Sequence, residues 1–287
     1  MSDVDFEFFR KFLSDKAGLS IGADRGYLLA SRLVPVLKKW KLAEINDLIP
    51  PLRLGQNAEL VQDVIDAMMT NETLFFRDEK PFKQFRNIVL PEILKKCGTR
   101  KSIRIWSAAC STGQEPYSIA MVLQEALPKI EEWNIHILAT DISEKALAHA
   151  RAGKYTQFEV QRGLPIQMAM KNFTQEGTNW QIKGHLQKMV KFEKFNLLGN
   201  MDKFGDFDIV FCRNVLIYFS EDHKKMILQS LARRMLPHSY LFLGGSETII
   251  DLSKDLSSVA DCPGLYGLLN GEACASSAVR MPIAGQA

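Results

Sequence analysis

The sequence lacks several features, each of which would have set its class at once. No run approaches the ~20 consecutive apolar residues of a membrane-spanning helix, so no helical span is expected. Its five cysteines (Cys97, Cys110, Cys212, Cys262, Cys274) are scattered and form no C-x-x-C pair. Neither a disulfide framework nor a cysteine zinc site is therefore expected. A large charge of one sign is missing too: 36 Lys+Arg face 33 Asp+Glu for a net +3. That balance excludes a broad polyanion binder. The opening MSDVDFEFFRKF carries acids where a secretory leader would be basic and then apolar. What is present is ordinary globular composition, 46% hydrophobic and 24% charged over 287 residues. This suits one large or two small domains. A reduced, soluble, cytoplasmic monomer is expected, with no membrane insertion and no nucleic-acid partner.

Residues 1–70 carry helical signals and almost nothing strand-like. Phe6, Phe9, Lys11 and Leu13 open an amphipathic stretch that Phe8 and Phe12 blur. In DRGYLLASRLVPVLKKW, Leu28, Arg32, Val36 and Lys39 fall near helical spacing, and Pro35 is expected to bend or break the helix. The pair Pro50–Pro51 is expected to end the next element, before a helix in NAELVQDVIDAMM. From Ser102 the rhythm becomes strand, helix, strand: SIRIWSA, EPYSIAMVLQEAL, IHILATD, SEKALAHARAG, FDIVFCRN, EDHKKMILQSLARRM, SYLFLGG. Ser143 and Gly153 read as the start and stop of one helix. Such alternation implies an α/β fold, a mostly parallel sheet covered by helices on both faces. Between about 155 and 190 it lapses into a polar stretch with a turn at QEGTN, the mark of a small inserted hairpin or three-stranded sheet. The expected division is a helical domain at 1–70, an α/β domain at 71–270 and a disordered tail at 271–287.

In open α/β sheets ligands bind beyond the carboxyl ends of the strands. AACSTGQEPYS follows the first strand, with small residues and a helix start but one glycine, Gly113, where a dinucleotide loop wants G-x-G-x-x-G. Glu115 at that helix entry would repel a pyrophosphate and suits a cationic group; it also reads as an ordinary capped helix start. Asp141 closes the second strand, where an acid accepts from both ribose hydroxyls or serves the next helix's dipole. Together the two acids fit a nucleoside without a diphosphate, and S-adenosylmethionine is the commonest such cofactor. Arg213 and Asn214 end the third apolar run and need partners there. Tyr218 follows, as a site residue or a core aromatic. Ahead of the sheet lies NETLFFR: Phe75 and Phe76 suit packing, while Asn71, Thr73 and Arg77 share a direction, and Arg suits a carboxylate.

NETLFFRDEKPF, IWSAACSTGQEPYSIAM, ATDIS, NLL (196–198), FDIVFCRNVLIYF and LFLGGSE occur in this order. Together they resemble the chemotaxis receptor glutamate methyltransferases, the CheR family, from about residue 5 to 270. The resemblance implies a helical N-terminal domain, a linker and a Rossmann-like S-adenosylmethionine-dependent methyltransferase domain with an inserted antiparallel β-subdomain. It implies methyl transfer to glutamates on the cytoplasmic methylation helices of bacterial chemoreceptors, with S-adenosylhomocysteine as product. Asn71, Thr73 and Arg77 would then contact the cofactor from the linker. Glu115 would hold the methionine ammonium or adjacent polar groups, and Asp141 the ribose. Asn196 and Leu197 would flank the adenine, and Arg213 and Asn214 the methionine end. Arg77 and Tyr218 match the residues nearest the methyl. The family usually has Glu where this chain has Gln114.

A glutamate side chain is already an anion at neutral pH, so no general base is needed and positioning carries the reaction. Tyr218→Phe is expected to keep cofactor affinity and slow turnover. Residues 25–53 hold Arg25, Arg32, Lys38, Lys39, Lys41 and Arg53 against Glu44 and Asp47, a local +4 inside a 1–70 segment of nine cations and ten acids. A basic face there would suit acidic receptor helices, and it equally reads as a solvated helix face. Some family members also grip a receptor's C-terminal pentapeptide at the edge of the β-subdomain. The short QEGTN turn leans away from dependence on that tether. The rivals are a methyltransferase of another substrate, a nicotinamide dehydrogenase and a non-catalytic scaffold. RNVLIYF lacks the prolines of the N/D-P-P-Y/F motif of amino-methylating enzymes, and the single-glycine loop disfavours the dehydrogenase.

Overall fold

The structure, a computed structural model, describes residues 2–22, 26–127 and 129–271. The expected tail and Arg25 lie outside those residues, apart from Gly271.

Helices α1 (Asp3–Ala17), α2 (Gly26–Trp40), α3 (Ile49–Leu54) and α4 (Ala58–Met68) form a layer around their own core. Ser2 caps α1 in a reciprocal capping box with Asp5, and Gly18 ends it with φ +72°. Phe6, Phe9, Phe12 and Leu13 are its buried side, so the blur seen in the sequence is a wide apolar face. In α2 the buried stripe is Leu29, Leu33 and Val36, one position from the expected Leu28 and Arg32. The helix runs through Pro35 without interruption. Pro50 and Pro51 open α3 rather than ending an element, because first-turn amides have no helical partner to lose.

After Met68 an extended linker leads to α5 (Lys80–Gln84), one turn of wider π-helix (Phe85–Val89) and α6 (Leu90–Cys97). The main sheet then alternates with helices: β1 (Ser102–Ala108), α7 (Gln114–Ala126), β2 (Asn134–Asp141) and α8 (Glu144–Ala152). Ser143 caps α8 through the Ala146 amide, and Gly153 stops it at φ +61°. A three-stranded antiparallel sheet interrupts here: β3 (Lys154–Thr156), α9 (Gln157–Gln161), α10 (Ile166–Asn172), β4 (Phe173–Glu176), β5 (Asn179–Ile182) and α11 (Gly184–Gln187), in the order β3-β5-β4. The turn at Gly177 joins β4 to β5, as QEGTN indicated. The main sheet resumes with β6 (Val190–Lys194), β7 (Phe207–Cys212), α12 (Glu221–Ala232), β8 (Met235–Leu243), β9 (Leu256–Ser258) and β10 (Leu265–Leu268).

The seven-stranded order is β6-β2-β1-β7-β8-β10-β9. Its first five strands are parallel, and β10 and β9 add an antiparallel edge that the short apolar runs after Ser246 did not announce. Alternation sorts the side chains: Ile209 and Phe211 join one core, Val210 and Cys212 the other. Both faces are covered, which is why these strands read as continuous apolar runs. Strand order reverses between β1 and β7, so a crevice opens beyond their carboxyl ends. No helix among the described residues is long and apolar enough to cross a membrane.

Candidate active site

The crevice is lined from four strand ends and from the helical layer. It holds about 950 Å³ of empty space, its mouth included. Asn71, Thr73, Arg77, Glu115, Asp141, Asn196, Leu197, Arg213, Asn214 and Tyr218 all lie on its wall. All the residues singled out from the sequence are thus brought into one cleft.

The floor is the turn after β1. Ala109, Ser111 and Gly113 have φ of +58°, +50° and +93°, a loop that crowds left-handed residues into a few positions. Asp141 holds it there: one oxygen accepts from the Ser111 amide at 2.8 Å, the other from the Ser143 amide at 2.9 Å. Burial pushes the Asp141 carboxyl above its ordinary value, and those backbone amides oppose the rise. Asp141 therefore braces two loops and still lines the cleft.

Glu115, in the first turn of α7, accepts from Ser107 Oγ at 2.8 Å and from Arg213 Nη1 at 3.0 Å. The Arg213 side chain is only 1% exposed and that of Glu115 12%. Burial raises the Glu115 pKa, with the Arg213 charge and the Ser107 hydroxyl pulling the other way. Arg213 Nη2 donates to the Arg77 carbonyl and to Asp78, each at 2.8 Å. Its guanidinium sits over the Phe82 ring, while Nε is buried without a partner. Arg213 is thus the post that ties the linker to α7, with most of its donors already committed.

The linker is pinned by its aromatics, as the sequence suggested. Phe75 is buried edge-on against Tyr155 and Phe173 of the small sheet. The Phe76 amide donates to Ser118 Oγ, and Ser111 Oγ donates to the Asn71 carbonyl. Arg77 Nη1 donates to the Glu72 carbonyl at 2.9 Å. Asn196 Nδ2 donates to the Lys16 carbonyl at 2.7 Å, and its Oδ1 accepts from the Leu198 amide at 3.0 Å. The side chain of Asn196 therefore stitches the end of α1 to the loop after β6. Tyr218 is half-buried at the mouth, and its carbonyl accepts from the Ser20 amide at 2.8 Å.

Sequence reasoning missed Ala17, Leu19, Ile142, Phe195 and Phe219 on the wall. Phe195 adjoins the quoted NLL, while Phe219 and Ile142 lie inside quoted motifs without having been given a role. Ala17 and Leu19 arrive from a helix end that carries no chemical signal. Glu247 was quoted within LFLGGSE without a role, and it proves to anchor the segment that leads to Tyr218. At the opposite end of the sheet Cys97, Asp208 and His238 cluster within ligand distance of one another. The Arg100 guanidinium lies against both Cys97 and Asp208 and supplies the positive charge there.

The donor set fits an adenosyl group bearing a cation. Two buried carboxylates face the cleft, the floor is small-residue backbone, and of the arginines on the wall Arg213 is already engaged. A doubly covered, mostly parallel sheet with this acid-lined cleft at its switch point is the architecture of the S-adenosylmethionine-dependent methyltransferases. Similarity to known proteins separates the chain from the other nucleotide-binding classes that share it.

Residues 71–263 match the family described as CheR methyltransferase, SAM binding domain. The chain is 39% identical over 272 residues to Chemotaxis protein methyltransferase 1 of Pseudomonas aeruginosa, covering 92% of this chain and 97% of that one. It is 38% identical over 271 residues to Chemotaxis protein methyltransferase Cher2 of Pseudomonas putida, at the same coverage. It is 39% identical over 269 residues to the Chemotaxis protein methyltransferase of Vibrio parahaemolyticus, covering 92% and 96%. The chain belongs to the CheR methyltransferase family, and S-adenosylmethionine is its cofactor.

Proposed function

We propose that the chain esterifies glutamate side chains on the cytoplasmic methylation helices of chemoreceptors, giving glutamate O-methyl ester and S-adenosylhomocysteine in chemotactic adaptation. One observation carries the reading: the cleft places an arginine and a phenol, Arg77 and Tyr218, on its wall, and among its described lining residues there is no histidine or lysine to act as base. That suits a nucleophile that arrives already ionised. When bound, S-adenosylmethionine supplies a methyl group on a positively charged sulfur.

Arg77 and Tyr218 orient the incoming carboxylate. One of its oxygens forms the new C–O bond as the C–S bond breaks in line, and no proton moves. Intramolecular models value such positioning at up to ~7–11 kcal/mol. Neither residue holds the carboxylate tightly, since binding substrate and transition state equally would gain nothing in kcat. Cys110 is no competing nucleophile: burial raises its thiol pKa well above the ordinary value. Asp141 serves the ribose hydroxyls, Glu115 the methionine ammonium or adjacent polar groups, and Arg213 and Asn214 the methionine end. Asn71 and Thr73 contact the cofactor from the linker, while Asn196 and Leu197 flank the adenine.

The division of labour is also part of the proposal, with residues 1–70 meeting the receptor and 71–270 holding the cofactor. The basic face of residues 25–53 is smaller than its composition suggests. Arg32 turns inward to the Met68 and Met69 carbonyls, and Lys39 pairs with Glu59 and Asp63. Among the described residues Lys38, Lys41 and Arg53, the last lying over the Phe8 ring, remain as cations offered to an acidic helix.

Incubation with radiolabelled S-adenosylmethionine and receptor cytoplasmic fragments tests the reading. The expected label is released as methanol in mild alkali. Label that survives base points to another substrate atom, and clear cofactor binding without label points to a scaffold; either result overturns the assignment.

A further inference from the structure

Glu247 stands outside the residues assigned above, yet its carboxylate is the most heavily engaged acceptor beside the cleft. Oε1 accepts from the amides of Val215 at 2.9 Å and Leu216 at 2.7 Å. Oε2 accepts from the amides of Asn214 at 2.8 Å and Gly244 at 2.6 Å. The residue is 9% exposed, so few waters are available to replace those bonds. Consecutive amides converging on one anion require an unusual backbone, and Asn214 supplies it with φ +56°. The anion also caps the short 3-10 turn Leu216–Tyr218, whose first amides have no partner of their own.

Gly244 makes the approach possible. A Cβ at that position would stand 2.7 Å from Asn214 Nδ2, 2.8 Å from Glu247 Oε2 and 2.9 Å from the Asn214 amide nitrogen. The glycine, the acid and the loop are thus one fitted unit. Arg213, immediately before it, is fixed by a separate set of partners, Glu115 and Asp78. The mooring of Asn214–Tyr218 thus uses partners other than those of the post that holds the linker, although the two sets meet at the Arg213–Asn214 peptide and the Glu247 charge is felt at Glu115.

We propose that Glu247 is a positioning residue, which holds segment Asn214–Tyr218 in register so that the Tyr218 side chain stands at the cleft mouth where the acceptor carboxylate enters. The inference rests on the assignment of Tyr218 to the reaction. Glu247 touches neither cofactor nor acceptor, and it acts through backbone.

Glu247→Gln keeps the shape but replaces one acceptor oxygen with a donor that faces amides. Hydrogen exchange at the amides of Asn214, Val215, Leu216 and Gly244 should quicken about tenfold or more. In steady-state assays kcat should fall about tenfold or more, and by a clearly larger factor than KM for S-adenosylmethionine or affinity for S-adenosylhomocysteine changes, the latter moving only as far as Asn214 contributes to the methionine end. Unchanged protection of those amides, or an unchanged kcat, overturns the proposal. So does a loss that appears wholly in cofactor affinity. Should Glu247→Gln fail to fold, Gly244→Ala provides the second route: it keeps the acid but crowds Oε2 and the Asn214 amide apart, and it should give the same split and the same pattern of exchange. Tyr218→Phe, measured alongside, should slow turnover with exchange untouched. Full turnover in that variant counts against Tyr218 itself, and the exchange and kcat of the Glu247 variant still decide whether the segment is moored.

Discussion

Two carboxylates give the cleft a pH dependence of its own. Glu115 and Asp141 are both raised by burial, so the folded chain holds their protons more tightly than the unfolded chain does. Their contribution to stability is full below the unfolded pKa values and is lost as pH rises through the folded ones, opposite to usual acid denaturation. A ligand whose ammonium meets Glu115 and whose ribose hydroxyls donate to Asp141 would favour the ionised acids. S-adenosylhomocysteine keeps both groups although its sulfur is uncharged, so its binding should run the other way. Thermal melts with and without saturating S-adenosylhomocysteine should show this: the gain in Tm shrinks as pH falls from about 7.5 towards about 5. A gain that stays constant over that range would mean the acids do not meet the ligand's charge. Asp141 was legible because it is the acid that closes an apolar strand, and Glu115 because it stands at a helix entry where a dinucleotide loop would want glycine and no negative charge. Glu247 was not, since its reason is a set of backbone amides about thirty residues upstream in the chain, which no spacing rule connects.

Among the elements, the inserted sheet does more than decorate the fold. Its Tyr155 packs edge-on against the linker's Phe75 ring and donates to the Thr112 carbonyl of the floor loop at 2.8 Å. Gly163, after α9, lies so close to the linker that a Cβ there would stand 1.9 Å from the Phe75 carbonyl oxygen. Gly163→Ala must therefore push the linker away from the small sheet, carrying Asn71, Thr73 and Arg77 with it. Affinity for S-adenosylhomocysteine should drop about tenfold or more, at a stability cost of about 1–3 kcal/mol, as read by titration calorimetry and urea melts. Wild-type affinity in that variant would show the linker to be dispensable. The identities of β1, α7, β2, α8, β7, α12 and β8 could be read from apolar runs and caps, because those signals are local, whereas β6 of the main sheet, with its charged residues, was not singled out. The β10–β9 edge and the roles of Pro50 and Pro51 could not, since a short apolar run or a proline pair suits either side of a boundary.

At the scale of the whole molecule, the helical layer and the sheet share the cleft instead of merely adjoining. Ala17 and Leu19 form part of its wall, Leu19 bridges to Phe219, and Gln62 of α4 reaches the Ile142 carbonyl at 3.0 Å. Gly18 is the tightest point of this join: at φ +72°, a Cβ would stand 2.3 Å from the Phe219 ring. Gly18→Ala should lower stability by about 1–3 kcal/mol and weaken S-adenosylhomocysteine binding together. Denaturant melts and calorimetry on one preparation check it, and a loss of stability with unaltered binding would place the join outside the site. The contact of Ser20 with the Tyr218 carbonyl has a wider consequence. Any partner that shifted the end of α1 would also shift the backbone of Tyr218, and its occupancy would then be thermodynamically linked to that of the cofactor. Reciprocity then requires that spent cofactor left in the cleft alter the partner's hold by the same factor as fresh cofactor meets when the partner is already engaged, if both ligands make the same contacts with that wall. Release of product and departure of such a partner would then be a single traffic problem.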